Sequence, residues 1–330
     1  MEKQWNRTNT SAAAAIYGAI TYGENSNFSL VDVMGLTGHA FRINIDCKEV
    51  NVAGPTMFPG GYILRRNLCN LGFISCLADA EAPVSPENVT RTIALIQDSI
   101  DRGYPAIAFD LFVPEFGLIY GYDDEKQVFH GKDAVNNGTI PYEKFSNVHS
   151  GVLFATTISE QLPHSKYERL RMALDMIVDH TLGREWNHIF KDQYKMGLEG
   201  YDAWMNVLKQ RKADPYGQAY NIHVISDARE FAVQFLKELE QTWTADNIVE
   251  RTVRKLAGEA AQCYQKTAAA LIEMRDLFPF PEGGNPQNPA HSDKAIALLT
   301  TAKQGEEDGI KLLERLLHFM KAYHSEVWIH

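Results

Sequence analysis

The side chains that could do chemistry gather where the predicted strands stop. In Arg102–Asp133, RGYPAIAFDLFVPEFGLIYGYDDEKQVFHGKD, acidic residues fall at the strand ends. Asp110 closes the first of these strands; a carboxylate there can face a ligand or accept hydrogen bonds at a capped strand end. Glu115 follows Pro114 and precedes the next strand, so it can serve as acid, base or ligand-binding group, or lie solvated in its loop. Asp123 and Asp124 read as hairpin-turn residues. His130 would lie opposite the Glu115 strand if the hairpin closes tightly, where it could act as a base; an exposed hairpin histidine is the plainer reading. Upstream, Ser11 is a candidate nucleophile, although a serine before an alanine-rich helix is by default its N-cap. His39, in GLTGHAFRIN, follows a glycine and precedes a strand, a place where site residues occur. Arg42 alternates to the face opposite Phe41 and could bind an anion such as a substrate carboxylate. A structural hydrogen bond or salt bridge is the default for both.

Metal chemistry finds little support. Glu185 and His188 have Glu-x-x-His spacing with His180 nearby, but di-iron bundles use two such pairs and no second one occurs. His318 and His324, six apart, do not share a helix face, and with Glu326 they read as surface groups. No metal and no cofactor is expected. The four cysteines (Cys47, Cys69, Cys76 and Cys263) form no CxxC and no metal spacing, so a reduced, cytoplasmic setting is the default. Cys69 and Cys76 sit in apolar stretches and are expected in the core. Cys47, in a loop, is the one to test for reactivity. Trp186, Trp204, Trp243, Tyr201, Tyr220 and Tyr264 read as core aromatics of helices.

The elements that must position these groups fall into two halves. Helices are predicted at 12–22, capped by Thr10 or Ser11 and stopped by Gly23, and at 30–35, 61–71 and 86–102. In the last, Ser85 is the cap, Pro86 sits in the first turn, and Val89, Ile93, Ile96 and Ile100 form the buried stripe. Strands are predicted at 40–45, 73–77, 106–111, 116–122, 127–130 and 152–157. From Ser165 the pattern becomes helical, over 166–181, 193–209, 218–242, 245–277 and 291–324, with apolar residues at intervals of three and four and no strand between. PFPEGGNPQNP is the one breaker-rich loop. The expected fold class is α+β, with residues 1–160 as a domain built on an antiparallel sheet and 161–330 as an all-α helical bundle.

The order of elements in the first half, with the GYD turn, resembles the papain-like fold of bacterial cysteine peptidases that cleave leader peptides. More closely it resembles the N-terminal domain of butirosin biosynthesis protein H and its relatives, which also carry a helical region after it. In that family a helix opens with cysteine in a Cys-x-x-x-x-Leu pattern ending Tyr-Tyr-Gly. A later strand reads roughly His-x-x-x-x-x-Gly-Tyr-Asp, and an acidic residue follows on the next strand. Here the helix is TNTSAAAAIYGAITYG and the strand EFGLIYGYDD. The resemblance, which covers about the first 150 residues, puts the nucleophile position at Thr10 or Ser11, the histidine position at Glu115 and the orienting acid at Asp133. Cysteine and histidine are thus both replaced. A thiolate needs a neighbouring base to take its proton. A carboxylate of ordinary pKa, ~4.3, is a poor base for an alcohol unless burial raises it.

The resemblance implies a degenerate papain-like protein, a pseudoenzyme that binds a peptide-like or amide-bearing small molecule in a bacterial biosynthetic or peptide-handling pathway. An active acyltransferase or amide hydrolase with Ser11, Glu115 and Asp133 as reassigned groups is the alternative, with an acyl carrier protein as partner, and a helical assembly scaffold is a third. Composition limits partners further. A net charge of −10 argues against nucleic acid, which needs clustered Lys and Arg. No apolar run approaches the ~20 residues that span a bilayer, and the N-terminus lacks the layout of a secretion signal. The helical half is the expected surface for any homo-oligomer.

Overall fold

A computed structural model of the chain describes residues 8–22, 26–185, 187–190 and 192–327, of which 187, 188 and 324–327 as backbone only. Gly23 and Trp186, and the side chains of His188, His324 and Glu326, lie outside the described residues. In chain order the elements are α1 (Ser11–Thr21), α2 (Leu30–Leu36), β1 (Asn44–Asp46), α3 (Gly60–Leu71), β2 (Phe73–Glu81), α4 (Pro86–Asp101), β3 (Ala106–Phe109), β4 (Phe116–Asp123), β5 (Val128–Lys132), β6 (Asn137–Pro141) and β7 (Val152–Gln161). There follow α5 (Lys166–Thr181), α6 (Asn187–Phe190), β8 (Tyr194–Met196), α7 (Gly197–Lys209), α8 (Pro215–Thr242), α9 (Ile248–Leu277) and α10 (Pro289–Val327). The fold is α+β with antiparallel sheets, a sheet region first and a helical region after it.

The chain divides into two compact units, residues 1–33 with 59–164 and residues 34–58 with 165–330. The expected break near residue 160 thus lies close to one boundary. Residues 34–58, read with the first half, belong to the helical unit instead.

The first unit is a six-stranded antiparallel sheet in the order β2-β7-β3-β4-β5-β6. β6 is an addition to the expected strands. Its residues, NGTIP, have low strand propensity, and the strand exists because it can pair with β5 from Val128↔Pro141 to Lys132↔Asn137. α4 is closed at its start by Ser85, whose side chain accepts from the Asn88 N–H. Ile96 of α4 packs with Ala106, Ala108, Ile119, Phe129 and Leu153, while Val89, Ile93 and Ile100 flank that cluster half-buried. Burial of one such isoleucine stabilises by about 1.5–3 kcal/mol. Cys69 and Cys76 are exposed, not in the core. β2 is an end strand of its sheet and presents Cys76 to solvent.

The second unit is helical but not purely so. β8 pairs with β1, Asn44↔Met196 to Asp46↔Tyr194, where a single helix from 193 was expected. Gly197 then starts α7 at φ +58, a backbone state glycine enters freely. A Cβ on Gly197 would stand 2.3 Å from the Thr181 carbonyl oxygen. The strand expected over 40–45 is shorter because His39–Phe41 forms a 3-10 turn behind Gly38 (φ +72). Arg229 explains that turn: its Nη1 donates to the Ala40 and Arg42 carbonyls at 3.2 and 3.0 Å, so those carbonyls are not offered to a ladder. The core joins Ile43 and Ile45 to Tyr201, Trp204, Ile222 and Leu271.

Candidate functional site

Ser11 and Glu115 meet in the first unit. α1 is mostly small residues, with Ile16, Tyr17 and Ile20 the exceptions; Ala13, Ala15 and Ala19 are fully buried, and the helix lies against β4 and β3. Thr10 holds the N-cap position with no side-chain capping bond, and Ser11 is the first helical residue. The default role given to Ser11, capping, is therefore not the one it plays. Its hydroxyl donates to Glu115 Oε2 at 2.5 Å and accepts from the Phe116 N–H at 3.3 Å. Ser11 is buried and Glu115 is half-buried. The Glu115 carboxylate thus bears on the N-terminus of α1, where negative charge is favoured by ~0.3–1 kcal/mol.

Loop 110–115 puts Glu115 there. Its N–H donates to the Val113 carbonyl at 2.7 Å, a three-residue turn centred on Pro114 whose fixed φ suits the inverse γ-turn. Asp110 sits at φ +62, and its N–H donates to the Glu115 carbonyl at 3.0 Å, which closes the loop at its base. The buried Asp110 carboxylate accepts from the Ser150 N–H at 2.8 Å. The Lys144 ammonium donates to the Leu111 carbonyl.

Asp133 does not complete a triad of side chains. Its Oδ2 accepts from the Phe112 and Val113 N–H groups at 2.9 and 3.0 Å, and its Oδ1 from those of Val135 and Asn136 at 2.9 and 3.0 Å. The expected orienting acid therefore acts on loop backbone. Gly117 makes room for it: a Cβ there would stand 2.6 Å from the Lys132 carbonyl oxygen and 3.1 Å from Asp133 Cβ.

His130 pairs with Gly121 across β4 and β5. Six residues separate Gly121 from Glu115, about 20 Å along a strand, so His130 is not placed to take the Ser11 proton. His39 and Arg42, candidates for substrate binding with a structural role as the default, belong to the second unit and are buried there. The His39 ring packs on Phe58 with centroids 5.9 Å apart. Arg42 gives Glu185 a forked pair at 2.8 and 3.2 Å and stands over the Phe58 ring at 5.3 Å. The structural salt bridge that was its default reading is thus the one it makes, and the substrate carboxylate is not needed to account for it.

His180 completes that cluster. Its Nδ1 lies 3.1 Å from both Arg42 Nη1 and Glu185 Oε2, and its Nε2 accepts from the Ile43 N–H at 3.0 Å. Burial, aided by the Arg42 charge, lowers its pKa to about 4. Burial alone would raise the Glu185 carboxyl, but Arg42 overrides it and holds that group far below the usual carboxylate range. A second buried pair joins Arg229 Nη2 to Glu306 Oε1 at 2.7 Å, with the Tyr201 hydroxyl donating to Glu306 at 2.5 Å. The composition of the helices contains no signal for these partners. Among the described residues no cluster of His, Cys, Asp and Glu could hold a metal ion.

Chemically, the Ser11 proton is aimed at Glu115, the direction general-base catalysis requires. In the ground state the proton rests on serine, because a carboxylate is a far weaker base than an alkoxide. It is also a weaker general base than the histidine the resemblance implies. The pair presents a half-buried carboxylate, held by a hydroxyl, that can accept N–H groups from a ligand. Cys47 offers no alternative nucleophile, because burial pushes its thiol up and away from the reactive thiolate.

Comparison of the chain with protein-family models and with curated proteins gives no match.

Proposed function

We propose that the first unit is a papain-like domain that binds a peptide-like or amide-bearing small molecule at Ser11 and Glu115 without cleaving it. One observation carries the reading: the Ser11 hydroxyl donates to Glu115 Oε2 at 2.5 Å, a carboxylate where the resemblance would put a histidine. The α+β organisation, with a sheet unit followed by helices, is in keeping with that resemblance. A carboxylate facing amide or amine donors supplies affinity through charge-assisted hydrogen bonds, and the ligand leaves unchanged.

The test uses the full chain. A fluorophosphonate probe and an aminoacyl thioester are expected to label nothing at Ser11. Titration with a panel of dipeptide amides is expected to give saturable binding that weakens at least about tenfold in Glu115→Gln, as loss of a ~1.5–3 kcal/mol charged hydrogen bond requires. Labelling or turnover abolished by Ser11→Ala would overturn the reading in favour of an acyltransferase that takes its substrate from an acyl carrier protein. The orientation of the Ser11 hydroxyl toward Glu115 is the observation that favours this second reading. No helix among the described residues is long and apolar enough to cross a membrane.

A further inference from the structure

We infer that Asp133 is the positioning residue of the Ser11–Glu115 site, and that it acts by gripping the backbone of loop 110–115 and not by touching either side chain. The inference rests on reading Ser11 and Glu115 as the functional pair.

The connection is short and covalently direct. Asp133 Oδ2 holds the N–H groups of Phe112 and Val113, and the carbonyl of that same Val113 receives the Glu115 N–H. Asp133 thus pins the two peptides that lead into Val113, and the turn about Pro114 starts from the carbonyl of that residue, which places the Cα from which the Glu115 carboxylate extends. The other Asp133 oxygen holds Val135 and Asn136, in the turn between β5 and β6. One buried carboxylate thus anchors the Glu115 loop to the sheet. Asp133 is 3 % exposed, so an unmet oxygen would be costly, and four amide donors meet the pair.

Two further contacts hold the same loop from other directions: Asp110 through the Ser150 N–H, and the Lys144 ammonium through the Leu111 carbonyl. An unused solvent loop requires no such bracing. Asp110 holds a left-handed backbone (φ +62), a state more open to aspartate than to most residues, and its N–H closes the loop on the Glu115 carbonyl. Such bracing suits a carboxylate that must be held to within about 0.5 Å of its place beside one hydroxyl.

The experiment is done on full chain carrying 13C-labelled glutamate, with the Glu115 side-chain Cδ resonance assigned by its loss in Glu115→Gln. Ser11→Ala sets the shift of a Glu115 that has lost its hydroxyl donor. Asp133→Ala is expected to move the resonance most of the way to that value, and S11A/D133A to move it no further than S11A alone. Asp133→Asn, which keeps one acceptor oxygen, is expected to fall between D133A and the unaltered chain, and it carries the same readout if D133A does not fold. An unmoved Glu115 resonance in D133A or D133N, with thermal stability lowered, would reduce Asp133 to a structural turn residue and overturn the inference. The measurement needs no ligand, so it is separate from the binding test: failure of the proposed function appears as an unaltered chain that binds no dipeptide amide.

Discussion

Glu185→Ala puts the structural assignment of Arg42 at risk in a way that can be measured. The substitution removes the carboxylate that accepts both Arg42 bonds, at 2.8 and 3.2 Å, from a pair whose side chains are 6 % and 3 % exposed. An arginine left buried without its partner costs about 3–5 kcal/mol, because the charge has given up water and received nothing in return. For a unit of nearly 200 residues that loss lowers Tm by roughly 6–20 °C. In urea the midpoint falls by on the order of 1–2 M. Trp204 and Trp243, both buried in the helical unit, report the transition by fluorescence. The double variant R42M/E185L replaces the whole pair with apolar side chains of similar bulk, and it is expected to recover most of the loss. Methionine at 42 also keeps a contact on the Phe58 ring. A single-variant loss below about 1 kcal/mol, the value of an exposed pair, would mean that the cluster is solvated. A double variant no better than the single would shift the cause from charge to packing. Either result refutes the reasoning. Arg42→Met should leave dipeptide-amide binding unchanged, which a substrate-binding arginine would not.

The same cluster makes stability depend on acidity. His180 is favoured neutral in the folded unit, with a pKa of about 4 against ~6.5 unfolded. Its contribution, roughly 3 kcal/mol, is therefore complete above pH 6.5 and is lost as pH falls toward 4; Tm followed from pH 7.5 to 4.5 checks it, and His180→Gln should flatten the slope. Gly117→Ala forces a methyl against the Lys132 carbonyl and Leu111; a cost of about 1–3 kcal/mol in thermal unfolding is expected, with Glu115 displaced from Ser11.

Local chemistry made much of this fold readable. α5 was expected over 166–181 and spans those residues, because Ser165 and Glu168 form a complete capping box and the apolar spacing behind it is regular. The resemblance put the nucleophile position at Thr10 or Ser11, ahead of a helix expected from residue 12, and the histidine position at Glu115; the helix opens one residue earlier, and it is Ser11 that donates to Glu115, at 2.5 Å. The roles within the site were harder. Asp133 was expected through alignment to orient a side chain, but its bonds to four amides depend on turn geometry that residue spacing does not encode. Arg42 shows the limit most clearly. Its alternation with Phe41 was read as one strand face, whereas its partner Glu185 lies 143 residues away. Whether an arginine meets a substrate or its own chain is settled by tertiary packing. β6 and β8 were missed for a related reason: each is short, and pairing brings out what propensity does not.

Residues 34–58 also set a timetable for synthesis. Their partners lie far downstream: the Arg42 carbonyl is held by Arg229, 187 residues later, and Ile43 and Ile45 pack with Trp204 and Leu271. At roughly 5–20 residues per second the ribosome needs about 10–40 seconds to cover the distance from Arg42 to Arg229. During that interval the sheet unit, complete by residue 164, can close, while the segment looped out of it stays unfinished with Phe41, Ile43, Ile45 and Val50 uncovered. Between residues 164 and 229 the nascent chain is thus a folded sheet unit carrying an adhesive loop, the stage at which a chaperone would be needed.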